Sequence, residues 1–351
     1  MTFEEVLIYH LNKYPKSTYE DIYKLCFQSA FAGGHLILDK EKHLVHLKDE
    51  MNSVLEEVYK EVEPIGNHLY RIYLQGQKLS FETIHHMVIA SANTHVLDKN
   101  IFLDQLEHIS RLLKNQAWDN FLAAYKVLDY PLVSHSKSYK EAYDPHYRII
   151  NNQFVFYMNL FIKLDELFID KAHVVIAIDG MTGSGKSMLA KLLLEVYEGT
   201  CIHLDDFFLQ AHQRTPARFN EIGGNLDYER FMTDVLLNLE KPHFSYLPFD
   251  CQTMAFSKPI DYNRRKLTII EGSYSMRPEF RPYYDLKIFL SVDADVQLQR
   301  IKHRNGIDML DKFKSLWIPK ENIYHQTFHL NKAVDMSFDT SYLDIKSIEK
   351  I

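Results

Sequence analysis

Val174-Val-Ile-Ala-Ile178-Asp-Gly180-Met-Thr-Gly183-Ser-Gly185-Lys186-Ser187-Met-Leu189 is the stretch whose reading decides the fold. Val174 to Ile178 is a short β-branched apolar run of the kind that forms a strand buried on both faces. Gly180 to Ser187 fits G-x-x-x-x-G-K-[ST] at every fixed position, and Leu189, Leu192, Leu193 and Val196 then recur at helical spacing. Strand, glycine loop and helix in that order make a phosphate site out of a motif match. Glycines let the backbone curl so that successive N–H groups surround a phosphate at the positive end of a helix. Lys186 would carry a mobile charge to the β- and γ-phosphates, and the Ser187 hydroxyl would ligate Mg²⁺. The candidate nucleotide-binding residues are therefore Gly180, Met181, Thr182, Gly183, Ser184, Gly185, Lys186, Ser187 and Met188. The alternative of a plain flexible turn does not account for the matched flanks. A dinucleotide fingerprint fails, because Met188 stands where the third glycine belongs.

Composition sets outer limits. A chain of 351 residues has room for two cores. Its 46% hydrophobic and 25% charged content is ordinary for a globular protein. A formal net charge of −7 argues against nucleic acid or an anionic membrane as a partner. Cys26, Cys201 and Cys251 are far apart and form neither a disulfide framework nor a zinc motif, which fits a reducing cytoplasm. The N-terminus is acidic where a signal peptide is basic. The most apolar helix candidate, Phe154 to Ile162, is too short to span a bilayer.

Upstream of the quoted stretch the chain reads as mostly helical. Thr2-x-x-Glu5 and Ser17-x-x-Glu20 resemble capping boxes. Gly33-Gly34 stops the second helix, and Leu44, Leu47, Met51, Val54, Leu55 and Val58 mark a third. Leu69, Ile72 and Leu74 lie in a segment that the pattern leaves unassigned. His43 and His46 share a face without H-E-x-x-H, so they read as solvated side chains rather than zinc ligands. Two places invite a ligand: His35 after the glycine pair, and the His135 to Arg148 stretch rich in His, Tyr and Arg. Packing of those rings is the competing reading and the favoured one.

Downstream, Thr200 to Leu204 reads as a second buried strand ending in Asp205-Asp206-Phe207-Phe208. A carboxylate at that end of a parallel strand lies where ligands bind in open α/β sheets. Asp205 is placed to take a proton from an attacking hydroxyl or to hold the metal. Asp227 precedes a helix and could simply cap it. Leu267 to Glu271 is another apolar strand ending in a carboxylate, and Leu286 to Val292 a further one. Arg300 and Arg304 share a helix face and would either meet the negative helix end or clamp phosphates.

The order of these motifs, from the glycine loop through D-D-F-F, N-x-D, I-I-E-G and R-x-x-x-R, resembles the uridine kinase and phosphoribulokinase family from about Ala172 onward. The resemblance implies ATP and Mg²⁺ as cofactors, with Asp205 as general base near the metal and Glu271 beside the metal with Ser187. It further implies that Asp227 binds the acceptor's hydroxyls and that Arg300 and Arg304 act as lid arginines with Lys186 in catalysis. An extended basic lid is missing. The run from Phe313 to Tyr324 instead looks like a less characterised bacterial branch whose N-terminal extension resembles this first half.

The expectation is an α/β P-loop domain over residues 170–351 behind a mainly α-helical domain over 1–169. The reaction expected is transfer of the γ-phosphoryl group to a hydroxyl of a nucleoside or similar small polyol. Rivals are a kinase of another small alcohol (pantothenate, a sugar or a sugar phosphate) and a non-catalytic nucleotide-dependent switch with a partner-binding N-terminal domain. A GTPase fits poorly, because Asn331-Lys-Ala-Val-Asp335 is one residue too long for N-K-x-D. The partner expected is a small hydroxyl acceptor, with oligomerisation into a homo-oligomer left open.

Overall fold

The structure is a computed structural model and describes residues 1–33, 39–54, 62–95 and 97–343. Among the described residues the strands are β1 Glu63–Gly66, β2 Leu69–Tyr73, β3 Tyr147–Asn151, β4 Val174–Gly180, β5 Gly199–His203, β6 His243–Tyr246, β7 Phe249–Asp250, β8 Ala255–Phe256, β9 Ile260–Asn263, β10 Leu267–Glu271, β11 Leu286–Ser291 and β12 Met336–Asp339. Two compact units divide the chain, Met1–Asp165 and Glu166–Ile351.

The second unit is built on a five-stranded sheet in the order β12-β11-β4-β10-β5 with all neighbours parallel. Every residue of β4 and β10 is buried, the polar Asp179, Thr268 and Glu271 included, as expected of mainly apolar strands covered on both faces. Register then does the work of assembly. Glu271 pairs across to Ile178 on one side and His203 on the other, so β10 and β5 end level and β4 runs two residues further, to Gly180. Leu189, Ala190, Leu192 and Leu193 of helix Lys186–Leu194 are buried. Two short antiparallel ribbons, β6 with β9 and β7 with β8, complete this unit.

The first unit is mainly helical, but it also holds a three-stranded antiparallel sheet, β1-β2-β3, which the helical reading left out. The unassigned Leu69 segment is β2, and Tyr147 to Asn151 leave the expected loop to pair with it. Strands this short have little periodicity of their own, and cross-strand pairing supplies what the local pattern lacks. The second capping box falls on Thr18 and Asp21, one residue after the expected pair. Helix Lys40–Ser53 ends before Leu55 and Val58, which lie outside the described residues, as does His35. His43 is buried rather than solvated and shares a 2.8 Å Nδ1–Nδ1 contact with His85.

The His135 to Arg148 stretch is taken up by packing and polar bonds inside this unit. Buried Asp21 accepts from His135 Nδ1 at 2.7 Å and from the Ser136 hydroxyl at 2.6 Å. With Nδ1 donating, His135 Nε2 accepts the Tyr147 hydroxyl proton at 2.6 Å. Gln28 then donates to the Tyr147 oxygen at 3.0 Å and accepts from Arg71 Nη2 at 2.8 Å. One direction of donation therefore runs from a buried guanidinium to a buried carboxylate. Arg148 pairs instead with Glu50 at 2.6 Å, as does His146 at 2.7 Å.

Candidate functional site

The glycine loop between β4 and helix Lys186–Leu194 is shaped from behind. Gln297 Nε2 donates to Thr182 O at 2.8 Å, Arg300 Nη1 to Gly183 O at 3.2 Å, and Thr340 Oγ1 to Ser184 O at 2.9 Å. In a trans peptide the N–H points opposite to the carbonyl. Holding these three carbonyls outward therefore turns the next N–H groups, those of Gly183, Ser184 and Gly185, the other way, and Ser184 N closes a turn onto Met181 O at 3.0 Å. Gly180 has φ +148°, and a Cβ there would lie 2.2 Å from Leu290 O, so only glycine lets the loop leave the strand beside β11. Gly185 has φ +92° and faces open space, with nothing within 4 Å of a notional Cβ. Lys186 Nζ rests on Gly180 O at 2.8 Å and Met181 O at 3.2 Å.

Acids gather opposite the loop. Ser187 Oγ donates to Glu271 Oε1 at 3.1 Å, and His203 Nδ1 lies 2.6 Å from the same oxygen. Hydrogen bonds with Cys201 and Glu271 hold the His203 imidazole protonated, its pKa pushed up to about 11. Burial alone would raise Glu271, but the bond and charge of His203 outweigh it and keep the carboxyl below its ordinary value. Asp205 follows β5 and opens to solvent within the same hollow. The surrounding protein, and next the charge of Glu271, push its carboxyl above the usual range. Lys186, Ser187, Asp205 and Glu271 all line one cavity of about 450 Å³.

Other expected site residues are placed differently. Asp227 is buried, accepts from Arg230 N at 3.2 Å as the N-cap of helix Tyr228–Asp234, and is held by Gln213 Nε2 at 2.9 Å. Its expected place was on the acceptor's hydroxyls; here its oxygens are bonded to helix and loop, and Asn225 lines the cavity. Arg300, which the resemblance makes a lid arginine, is held away from the cavity in this structure. Its guanidinium faces the outer side of the loop, bonded to Gly183 O, to Thr340 O at 2.7 Å and to Leu343 O at 3.1 Å. Arg304, one helical turn on, does reach the cavity.

Several lining residues were not among the expected site residues. Phe208, Phe219, Tyr274, Phe313 and Trp317 give the cavity aromatic walls, and Arg214 gives it a further cation. Arg214 Nε bonds Leu209 O at 2.9 Å and its Nη2 meets Cys251 Sγ at 3.4 Å. Glu321 is 5% exposed and accepts from Thr182 N at 2.9 Å, Thr182 Oγ1 at 2.5 Å and Ser273 Oγ at 2.7 Å. Strand alternation from Asp205 could have found His203. Glu321 lies in the Phe313 to Tyr324 run, but nothing local points to its partner Thr182, 139 residues away.

No family model matches the chain. A uridine kinase of Clostridium botulinum (strain Okra / Type B1) is 28% identical over 143 residues, covering 37% of this chain and 68% of that one. The tRNA-specific adenosine deaminase subunit tad2 of Schizosaccharomyces pombe is 32% identical over 133 residues, covering 36% of this chain but only 32% of its own length. Among solved structures, a possible uridine kinase from Bacillus stearothermophilus covers 52% of this chain and 100% of its own, at 21% identity and a TM-score of 0.39. Among the described residues no helix is long and apolar enough to cross a membrane.

Proposed function

We propose that this chain, a P-loop kinase of the uridine kinase and phosphoribulokinase kind over the part its relatives match, transfers the γ-phosphoryl group of ATP to a hydroxyl of a nucleoside or similar small polyol. The observation that carries the reading is the convergence of Lys186, Ser187, Asp205 and Glu271 on one cavity at the loop end of the parallel sheet. The cavity's size suits a small ligand with a few placed polar groups.

Each residue then has work that its position supports. The loop N–H groups and the start of helix Lys186–Leu194 hold phosphate oxygens. Lys186, now on two loop carbonyls, is long enough to exchange them for phosphate. Ser187, Glu271 and Asp205 offer only oxygen donors, the set that suits Mg²⁺. Among the described residues no three His, Cys, Asp or Glu side chains form a metal site by themselves, so phosphate oxygens and water would complete the shell. Bound magnesium supplies charge neutralisation on the phosphates. Asp205 takes the acceptor hydroxyl's proton, a task helped by a carboxyl pKa above the ordinary value. Arg304 faces the cavity and meets developing charge there. Arg300 contributes from behind, by fixing the loop.

A second reading of the acceptor rests on Arg214. The groups it bonds, Leu209 O and Cys251 Sγ, include no carboxylate. An alcohol that also bears a carboxylate or phosphate, such as pantothenate or a sugar phosphate, would pair with that guanidinium. An ADP-release screen over ribonucleosides, sugars, pantothenate and sugar phosphates separates the two. Turnover confined to anionic alcohols would replace the nucleoside reading, and no turnover with any acceptor would leave the switch.

A further inference from the structure

Three parts of the second unit meet on one carboxylate. Thr182 belongs to the glycine loop, Ser273 lies two residues after Glu271, and Glu321 belongs to helix Ile318–Thr327. The two Glu321 oxygens receive three donors: the Thr182 N–H, the Thr182 hydroxyl and the Ser273 hydroxyl. One turn further along, Tyr324 donates to Asp179 Oδ2 at 2.6 Å, and the same oxygen takes the Met276 N–H at 3.0 Å. The helix is thus fixed to the end of β4 and to the segment after β10. At its other end it continues from the turn Phe313–Trp317, two of whose aromatic rings line the cavity.

A buried carboxylate next to a cradle for anions is electrostatically costly unless its bonds do something worth that cost. Here each bond ties a group on one side of the cavity to a group on another. We infer that Glu321 is a positioning residue for phosphoryl transfer: its carboxylate sets the distance between the leading edge of the phosphate loop and the segment carrying Glu271. The inference rests on the kinase reading above. Transfer is sensitive to misplacement of reacting groups by fractions of an ångström, whereas tight binding of a diphosphate draws mainly on the loop and Lys186. Loss of Glu321 therefore acts on the transfer step first.

Two substitutions in the full-length chain test this. Glu321→Ala removes the shared acceptor. Glu321→Gln keeps the geometry, since its amide oxygen accepts the Thr182 N–H while its NH₂ donates to the two hydroxyls, which can also accept. The expected result is a fall in kcat of roughly 10–100-fold for Glu321→Ala with ADP affinity within about threefold of wild type, and kcat for Glu321→Gln within about threefold. Hydrogen exchange at the Thr182 amide should speed up in the alanine variant and not in the glutamine variant. Ser273→Ala, which leaves Glu321 and two of its donors, should lower kcat by a few-fold and should do so no further in the Glu321→Ala background. If Glu321→Ala does not fold, the Gln and Ser273 variants carry the test. Several outcomes overturn the inference: wild-type kcat in Glu321→Ala; equal damage in Glu321→Gln, which would mean that charge rather than position matters; or parallel loss of kcat, ADP affinity and melting temperature, which marks plain structural support. If wild-type protein transfers phosphate to no acceptor, the kinase reading fails separately. An unchanged Thr182 exchange rate in Glu321→Ala would then dispose of the positioning role as well.

Discussion

Ser187 Oγ and Glu271 Oε1 lie 3.1 Å apart although 84 residues separate them in the chain. The pairing of β10 with β4 in register brings them together at one side of the cavity. If the pair holds Mg²⁺, Ser187→Ala and Glu271→Gln should each raise the Mg²⁺ concentration for half-maximal turnover, on the order of tenfold. Titrating activity against Mg²⁺ at saturating ATP measures it. An unchanged midpoint in both variants would remove them from the metal site.

Asp227 gives a prediction of the opposite kind. As an N-cap it should cost about 1 kcal/mol of stability when replaced by alanine and much less when replaced by asparagine, a good cap in its own right. Urea unfolding of both variants checks this. KM for the acceptor should stay near wild type in Asp227→Asn, because the carboxylate does not line the cavity. A large rise in KM there would restore the expected contact with the acceptor.

The first unit should weaken in mild acid. Burial lowers His10 and His135 from 6.5 to about 4 each. Unfolded chain then binds more protons than folded chain between those values, so this stability is complete above about pH 6.5 and is lost as pH falls toward 4. Hydrogen exchange of helix Tyr19–Phe31 in the full chain, compared at pH 7.5 and pH 5 after correction for intrinsic rates, should show clearly lower protection at pH 5. Equal protection at both would contradict the lowered histidine pKa values.

The sequence carried the second unit's sheet and loop because both are local. Five apolar residues before Gly180 and a helical stripe after Ser187 need no distant partner to be read. Acids at strand ends were legible for the same reason, since a parallel strand's end is where ligands gather. What stayed hidden depends on pairing. Leu69–Tyr73 becomes a strand through Tyr147–Asn151, more than seventy residues on. Arg300 sat at the right spacing for a phosphate clamp, yet the carbonyls of Gly183, Thr340 and Leu343 claim it, and no spacing rule reports that. Asp227 shows the same limit: one residue type serves as cap and as hydroxyl binder, and only its neighbours decide.

The measurement that bears most directly on the central claim sets two substitutions side by side, with nucleotide binding and phosphate transfer assayed at saturating Mg²⁺. Lys186→Ala should weaken ATP binding and turnover together, because its charge is needed wherever the phosphates are held. Asp205→Asn keeps the shape but not the base, so it should bind ATP nearly as wild type does while transfer to the best acceptor falls by about two to four orders of magnitude. Near wild-type transfer by Asp205→Asn would contradict the account, as would wild-type protein that binds ATP and passes phosphate to no alcohol in a broad screen.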